Sequence, residues 1–416
     1  MMMNDPEMTT YIGKSAEQEL VKFCKDNGYT QFVLVTDQNL YPFFAEKVEQ
    51  TLREQNWDVN TIVLTGNPVT PDDRYLVKIL TQVDNSPRVY ISVGSGTLTD
   101  MTRFVAHRTK SPFISLPTAP SQDGYASSGS ALTLDGMKQT IYSAPPVAIF
   151  ADLKVLSHAP REMIASGFGD VFGKFTALAD WALGKLIWQD AYSVEIAERT
   201  RKSLMRCVHL IENLEEQWEE NIQALTEALI DVGLCMLITG NSRPASGSEH
   251  SCSHFWEMKL MRQGRPVSFH GVKVGYAATL IAERYQWLGK MHLDDVQRQL
   301  ASTPMPSREA EEATMEAVFG PIAEQVKSTQ KAFLGLSLED YAALQQRIVE
   351  RWDDIQAIAS TVPSPDEMRA LLIKAGLPTE PGAMHLAEED VSEALAYGHY
   401  LRNPFTVIKL LRMMGM

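Results

Sequence analysis

Apolar positions in the first third of the chain switch between helical spacing and short continuous runs. Leu20, Val21 and Cys24 mark one helical face within 15–25, and Asn27-Gly28 follows as a C-cap signal. The runs 32–35, 61–64 and 89–93 are nearly unbroken apolar stretches, the pattern of strands buried on both faces. Helical patterns at 42–54 and 72–83 separate them. This order predicts right-handed crossovers and a doubly wound parallel sheet. Runs at 113–116 and 147–150 extend it, and between them 130–134 and 139–142 flank Asp135-Gly136, a type I′ hairpin signal.

From Arg161 onward the spacing predicts helices only, at 172–187, 193–212, 221–237, 249–261, 272–288, 309–327, 337–360, 366–375 and 388–402, with a tail helix to 414. Ser364-Pro365-Asp366-Glu367 supplies N-cap, N1 proline and N3 acid in sequence. The fold expected is α/β plus all-α: a parallel-sheet domain over 1–157 and a helical domain over 158–416.

Composition narrows the partners. The chain has 416 residues, 44% hydrophobic and 22% charged, as an ordinary globular protein has. A formal net charge of −14 argues against nucleic acid or an anionic membrane surface as partner. Cys24, Cys207, Cys235 and Cys252 are dispersed, which disfavours a disulfide framework or zinc ribbon and fits a reducing compartment. Residues 1–10 are polar, no signal peptide is read there, and no apolar run reaches transmembrane length, so a cytoplasmic protein without integral membrane contact is expected.

Three stretches carry candidate chemistry. The strand at 89–93 runs into Gly94-Ser95-Gly96-Thr97-Leu98-Thr99-Asp100 and then a helix, a turn that brings backbone close to a phosphate at a helix N-terminus. The dinucleotide fingerprint would need glycine at position 99, so a plain turn capped by Thr97 is the competing reading. The loop 117–127 (Pro-Thr-Ala-Pro-Ser-Gln-Asp-Gly-Tyr-Ala-Ser) sits at the carboxyl end of a strand, where open α/β sheets bind ligands; a self-bonded surface loop is the alternative. His250 and His254 lie one helical turn apart, with His270 downstream able to close on the same point. Imidazoles suit zinc, nickel or iron(II), and Asp170 in Gly167-Phe168-Gly169-Asp170 is the best candidate for an oxygen ligand.

Taken together, these motifs, in this order and over most of the chain, resemble the sn-glycerol-1-phosphate dehydrogenase family of the dehydroquinate synthase and iron-containing alcohol dehydrogenase superfamily. The run Ser253-His254-Phe255-Trp256-Glu257 resembles its bacterial branch, and 401–406 looks like the family's C-terminal Arg-x-Arg-Tyr-Thr stretch. Ser95 replaces a common glycine, and Arg103 stands where a lysine is frequent.

The resemblance implies a dehydroquinate synthase-like fold with Asp170, His250 and His270 as ligands of one divalent metal (zinc, or nickel or iron). It assigns NAD(P) contacts to Gly94, Ser95, Gly96, Thr97, Leu98, Thr118, Ser121 and Ser127, and substrate contacts to Asp123, Asp170 and His254. The implied reaction is reversible hydride transfer between NAD(P)H and the C2 carbonyl of dihydroxyacetone phosphate, in glycerophospholipid metabolism, with His254 or Asp123 relaying the proton. Asp37, ending the first strand of the pattern, is a candidate for the adenosine ribose hydroxyls or a cap for the next turn. Lys174, Arg243 and Arg265 are loose candidates for the substrate phosphate, with ordinary surface cations the competing reading. A homodimer is implied by the family. Fold does not separate this activity from a glycerol or other polyol dehydrogenase, from a dehydroquinate-synthase-like cyclase, or from a non-catalytic relative.

Overall fold

The unbroken apolar runs become the middle of a parallel sheet. A computed structural model describes residues 8–213 and 216–416. Its strands are β1 (Thr9–Gly13), β2 (Gln31–Asp37), β3 (Asp58–Leu64), β4 (Val89–Gly94), β5 (Phe113–Pro117), β6 (Gly129–Leu134), β7 (Met137–Tyr142) and β8 (Ala148–Asp152). Six of them form one sheet in the order β1-β8-β5-β4-β2-β3, and every pairing in it is parallel. β6 and β7 make the separate expected hairpin, with Asp135 at φ 50° and Gly136 at φ 78°, the left-handed pair a type I′ turn requires.

Successive residues of the central strands feed opposite cores. Phe32 and Leu34 join Ile91, Val93 and Leu116 under α1 (Ala16–Asp26) and α2 (Glu46–Arg53). Val33 and Val35 join Tyr90 under α3 (Asp73–Leu80) and α4 (Gly96–Arg108). Each such fully buried aliphatic side chain stabilises the fold by roughly 1.5–3 kcal/mol, which is why these strands carry no polar alternation.

Among the described residues, every regular element after β8 is helical, as expected. They begin with α5 (Leu153–Ser157), α6 (Arg161–Phe172), α7 (Lys174–Trp188), α8 (Val194–Leu210), α9 (Trp218–Thr239), α10 (Ser248–Arg262) and α11 (His270–Lys290). By contacts the chain falls into two compact units: one runs to Val171 and takes in Met205–Asn241, the other comprises Phe172–Leu204 and Ser242–Met416. The border expected at 157/158 thus lies inside the first unit. The reason is α9, which is apolar on most of its circumference and packs on β1 and α5. By length and composition α9 is apolar enough to cross a membrane, against the expectation that no apolar run reaches that length. Ile222, Leu225, Leu229 and Val232 are buried inside its unit, as in a core helix of a globular protein.

Other differences have local causes. β1 lies in what reads as a polar leader, because an edge strand is paired on one side only and half exposed. Residues 309–327 are not one helix: Gly320, at φ 55°, and Pro321 separate Arg308–Phe319 from Ala323–Thr329. Residues 337–360 break at Arg351.

In the second unit, α10 is tied to the helix Glu388–Tyr397 through Asp390. The Asp390 carboxylate accepts from Lys259 at 2.7 Å and Arg265 at 2.9 Å, and its carbonyl accepts from Trp256 Nε1 at 2.9 Å. Burial pushes this carboxyl up, but the hydrogen bonds from Arg265 and Lys259 outweigh it and hold it at about 2. Because the folded value is depressed, the contribution is whole above the unfolded aspartate value of about 4 and drains as pH falls toward 2. Asp390→Asn is therefore expected to cost about 2 kcal/mol at pH 7 and clearly less at pH 3. Urea unfolding at the two pH values checks this, and an equal cost at both would refute it.

Candidate metal centre and cofactor turn

The head of α10 is built on two carboxylates withdrawn from solvent. Asp180, on α7, and Glu249 are both fully buried. Asp180 accepts the Ser248 N–H at 2.7 Å through Oδ2; through Oδ1 it accepts the Val407 N–H at 2.7 Å and the Tyr285 hydroxyl at 2.7 Å. Burial, then the charge of Glu249, pushes its carboxyl up to about 6. Glu249 accepts the Gly247 N–H at 2.6 Å, the Thr176 hydroxyl at 2.6 Å and His250 Nδ1 at 2.8 Å. Burial alone would raise Glu249, but the His250 hydrogen bond and charge, with Thr176 and Gly247, hold it below its ordinary value. A side chain at Gly247 would meet Asp180 Oδ2 at 2.6 Å, so glycine lets the two acids approach the backbone.

With Nδ1 donating to Glu249, the other ring nitrogen of His250, Nε2, keeps its lone pair for a cation. The imidazoles of His250, His254 and His270 converge, with ring centroids 5.2 to 6.1 Å apart. One ligand atom each from Asp170, His250 and His270 lies within 4.8 Å of the others. His254 is outside that set. Two imidazoles and one carboxylate form a donor set that fits a divalent ion with a coordination position left open. α10 and α11 are fixed to each other by Lys273, nearly unexposed, which donates to Glu257 at 3.0 Å and to the Ser268 carbonyl at 2.9 Å, two residues before His270.

Asp170 stands in the last turn of α6, and glycines bring the 117–127 loop onto it. A Cβ at Gly167 would lie 1.9 Å from the Pro120 carbonyl oxygen, and one on Gly233 of α9 would lie 2.6 Å from the Asp123 carbonyl oxygen. In that groove the Asp123 N–H donates to Asp170 Oδ2 at 2.9 Å. Ser166 donates to the Ser121 carbonyl at 3.0 Å, and Tyr125 donates to the Ala119 carbonyl at 2.6 Å. The loop is thus held from both sides, and Thr118, Ser121, Asp123 and Ser127 are all buried.

The glycine turn sits at the carboxyl end of β4. From β2 the chain order runs to β3 on one side and β4 on the other, so β2 and β4 flank the point where strand order reverses, the usual ligand crevice of such sheets. That answers why a turn so late in the chain occupies this place. Ser95 is the N-cap residue of α4 and makes no side-chain cap bond, and Thr97 lies inside the helix, so the Thr97 cap of the competing reading does not form. The Thr118 N–H donates to the Gly94 carbonyl at 3.2 Å, and a Cβ on Gly96 would meet the Gln122 amide at 2.7 Å. Ser127 donates to the Gly124 carbonyl at 3.1 Å. Asp37, ending β2, caps the next turn: its Oδ1 accepts from Asn39 at 2.8 Å and Leu40 at 3.0 Å.

Of the phosphate candidates, Lys174 and Arg243 are buried, whereas Arg265 is partly exposed. Arg243 pairs with Asp190, and Arg265 pairs with Asp390. Arg402, from the C-terminal stretch, donates to Ser242 at 2.6 Å and to Ser246, and so braces the loop that leads into α10. Sequence reasoning missed Glu249, although it adjoins His250. It also missed Asp180, whose bond to Ser248 spans 68 residues and leaves no local signal.

Comparison with known proteins settles the family. A family model described as iron-containing alcohol dehydrogenase matches residues 11–160. A glycerol-1-phosphate dehydrogenase [NAD(P)+] of Geobacillus stearothermophilus is 32% identical over 408 residues, covering 96% of this chain and 91% of that protein. The chain belongs to the glycerol-1-phosphate dehydrogenase family. The Bacillus subtilis (strain 168) member is 39% identical over 282 residues, 67% of this chain and 72% of that protein. Among solved structures, glycerol dehydrogenase from Schizosaccharomyces pombe superimposes with a TM-score of 0.55 at 19% identity, over 96% of this chain and 94% of that one. That likeness shows a shared fold.

Glu249→Gln keeps the shape but weakens the acceptor that orients His250. It is expected to lower affinity for a divalent ion by about 10–100-fold, read by titration of the metal-stripped protein with zinc. Unchanged affinity would mean that Glu249 serves the fold alone.

Proposed function

We propose that this protein is a metal-dependent oxidoreductase that interconverts dihydroxyacetone phosphate and sn-glycerol 1-phosphate by reversible hydride transfer with NAD(P)H. The observation that carries this reading is the convergence of Asp170, His250 and His270 in a chain with family relatives of that activity. These three residues would hold one divalent ion, zinc or else nickel or iron, which when bound polarises the C2 carbonyl and stabilises negative charge on its oxygen. The β4–α4 turn would hold NAD(P)H, the source of the hydride.

The chain's own residues do the rest. The free amides at the start of α4, over Ser95, Gly96, Thr97 and Leu98, receive the cofactor pyrophosphate, with Gly94 opening the turn. Thr118, Ser121 and Ser127 supply hydroxyls along the cofactor. Asp37 accepts from the adenosine ribose through the carboxylate oxygen not used in capping, and its charge disfavours a 2′-phosphate. Asp123, held against Asp170 by its own N–H, orients the substrate. His254, one turn beyond His250, or Asp123 moves the proton at the C2 oxygen. In this reading residues 1–157 serve the cofactor and 158–416 the metal and substrate, and the protein works as a cytoplasmic homodimer; its four cysteines are buried free thiols, which suits a reducing compartment.

A steady-state assay tests the proposal. NADH or NADPH oxidation is expected with dihydroxyacetone phosphate and not with dihydroxyacetone; the reverse preference would replace this reading with a glycerol dehydrogenase. His270→Ala and Asp170→Asn are each expected to reduce kcat by roughly 10³-fold, since a Lewis acid at a carbonyl oxygen contributes several kcal/mol. Activity lost to a chelator should return on adding zinc, nickel or iron(II). Full activity in both variants would show that the cluster is not the catalyst.

A further inference from the structure

Arg103 is a fully buried cation of the first unit, held through both terminal nitrogens while its Nε has no partner among the described residues. It sits in the second turn of α4, with its side chain fully removed from solvent. Nη1 donates to Asp100 Oδ1 at 2.8 Å and to the Gly129 carbonyl. Nη2 donates to the Gly124 carbonyl at 2.7 Å and the Tyr125 carbonyl at 3.0 Å. The guanidinium carbon lies 5.7 Å from the centre of the Phe113 ring. A charge this deep is tolerated only when it is paired and its donors are used. Here one partner is a carboxylate on the same helix, and three are backbone carbonyls 21 to 26 residues away.

Those carbonyls bound the segment that carries Ser127. Gly124 O is shared: it accepts from Arg103 Nη2 and from the Ser127 hydroxyl at 3.1 Å. Asp123, next in the chain, donates its N–H to Asp170. Arg103 thus stands between the helix whose first turn faces the crevice and the far end of the loop that lines it. The work needs a planar fork. Nη1 and Nη2 serve separate ends of the segment at once, whereas a lysine ammonium is one point and reaches only one end.

We infer that Arg103 is a positioning residue for the cofactor: by clamping the carbonyls of Gly124, Tyr125 and Gly129 to α4, it sets the orientation of Ser127 relative to the glycine turn. This rests on the proposed assignment of that turn and Ser127 to NAD(P)H. The test is NADH binding to the full-length, metal-loaded protein by calorimetry, beside thermal unfolding and metal content. Arg103→Lys keeps the charge and is expected to raise the Kd for NADH about tenfold, the consequence of one or two misplaced hydrogen bonds. Metal content and KM for dihydroxyacetone phosphate should stay within about twofold. A Kd unchanged while the unfolding temperature drops would reduce Arg103 to a structural role and overturn the inference. Should Arg103→Lys fail to fold, Asp100→Asn loosens the same guanidinium from its other side. It is expected to weaken NADH binding in the same direction, and an unchanged Kd there overturns the inference equally. Because binding is measured without turnover, failure of wild type to reduce dihydroxyacetone phosphate would refute the proposed reaction and leave this test standing. Failure of wild type to bind NADH would refute the cofactor assignment itself.

Discussion

Two carboxylates with no access to water sit at the head of α10, and neither keeps its place without donors. An unpaired buried charge costs several kcal/mol, so Asp180 and Glu249 recruit every donor within reach: the N–H groups of Gly247, Ser248 and Val407, and the side chains of Thr176, Tyr285 and His250. The donors come from four helices and a loop, so satisfying the two acids fixes where α10 starts. That start also carries His250, one of the proposed metal ligands. Negative charge at a helix N-terminus is favourable to the helix, and the same arrangement orients His250. The energetic demand of the fold and the geometric demand of the cluster are met by one set of bonds.

Glycine performs the complementary task where backbones must touch. Gly167 and Gly233 present bare backbone to the Pro120 and Asp123 carbonyls, so the loop between β5 and β6 lies flat on α6 and α9. Only in that position does the Asp123 amide reach Asp170. A methyl group at either glycine would push the loop away, since it would lie 1.9 Å from the Pro120 carbonyl oxygen or 2.6 Å from that of Asp123. The motif Gly-Phe-Gly-Asp170 therefore combines a proposed metal ligand with a surface cut to receive the loop that faces it.

What was legible in the sequence follows from this. Central strands were readable because burial on two faces leaves only apolar residues, as in 32–35 and 89–93, whereas β1, paired on one side, carries no such mark. The doubly wound sheet and the glycine turn of β4 were visible from order and composition. The convergence of three histidines was suggested by the spacing of His250 and His254, but spacing gave them one common role. Asp170 was the best candidate for the oxygen ligand from the residues themselves, but the division between the His250 and His254 positions came from family resemblance. Asp180 was out of reach in principle: a lone aspartate on an apolar helix acquires meaning only when partners far along the chain fold against it.

The departure at Arg103 illustrates the same limit from the other side. In sequence it reads as an arginine where a lysine is frequent, which keeps the charge but not the geometry. Yet burial pushes the Asp100 carboxyl up to about 6 against the pull of Arg103, and lowers the Arg103 pKa from its ordinary value, so the pair is not held for its ion-pair energy. What it contributes is direction. Five fixed N–H vectors can satisfy several carbonyls at set angles, and carbonyls are what a loop has to offer when its side chains are reserved for a ligand. A buried arginine beside a ligand loop is best understood as a scaffold for backbone, with its charge as the cost of that geometry.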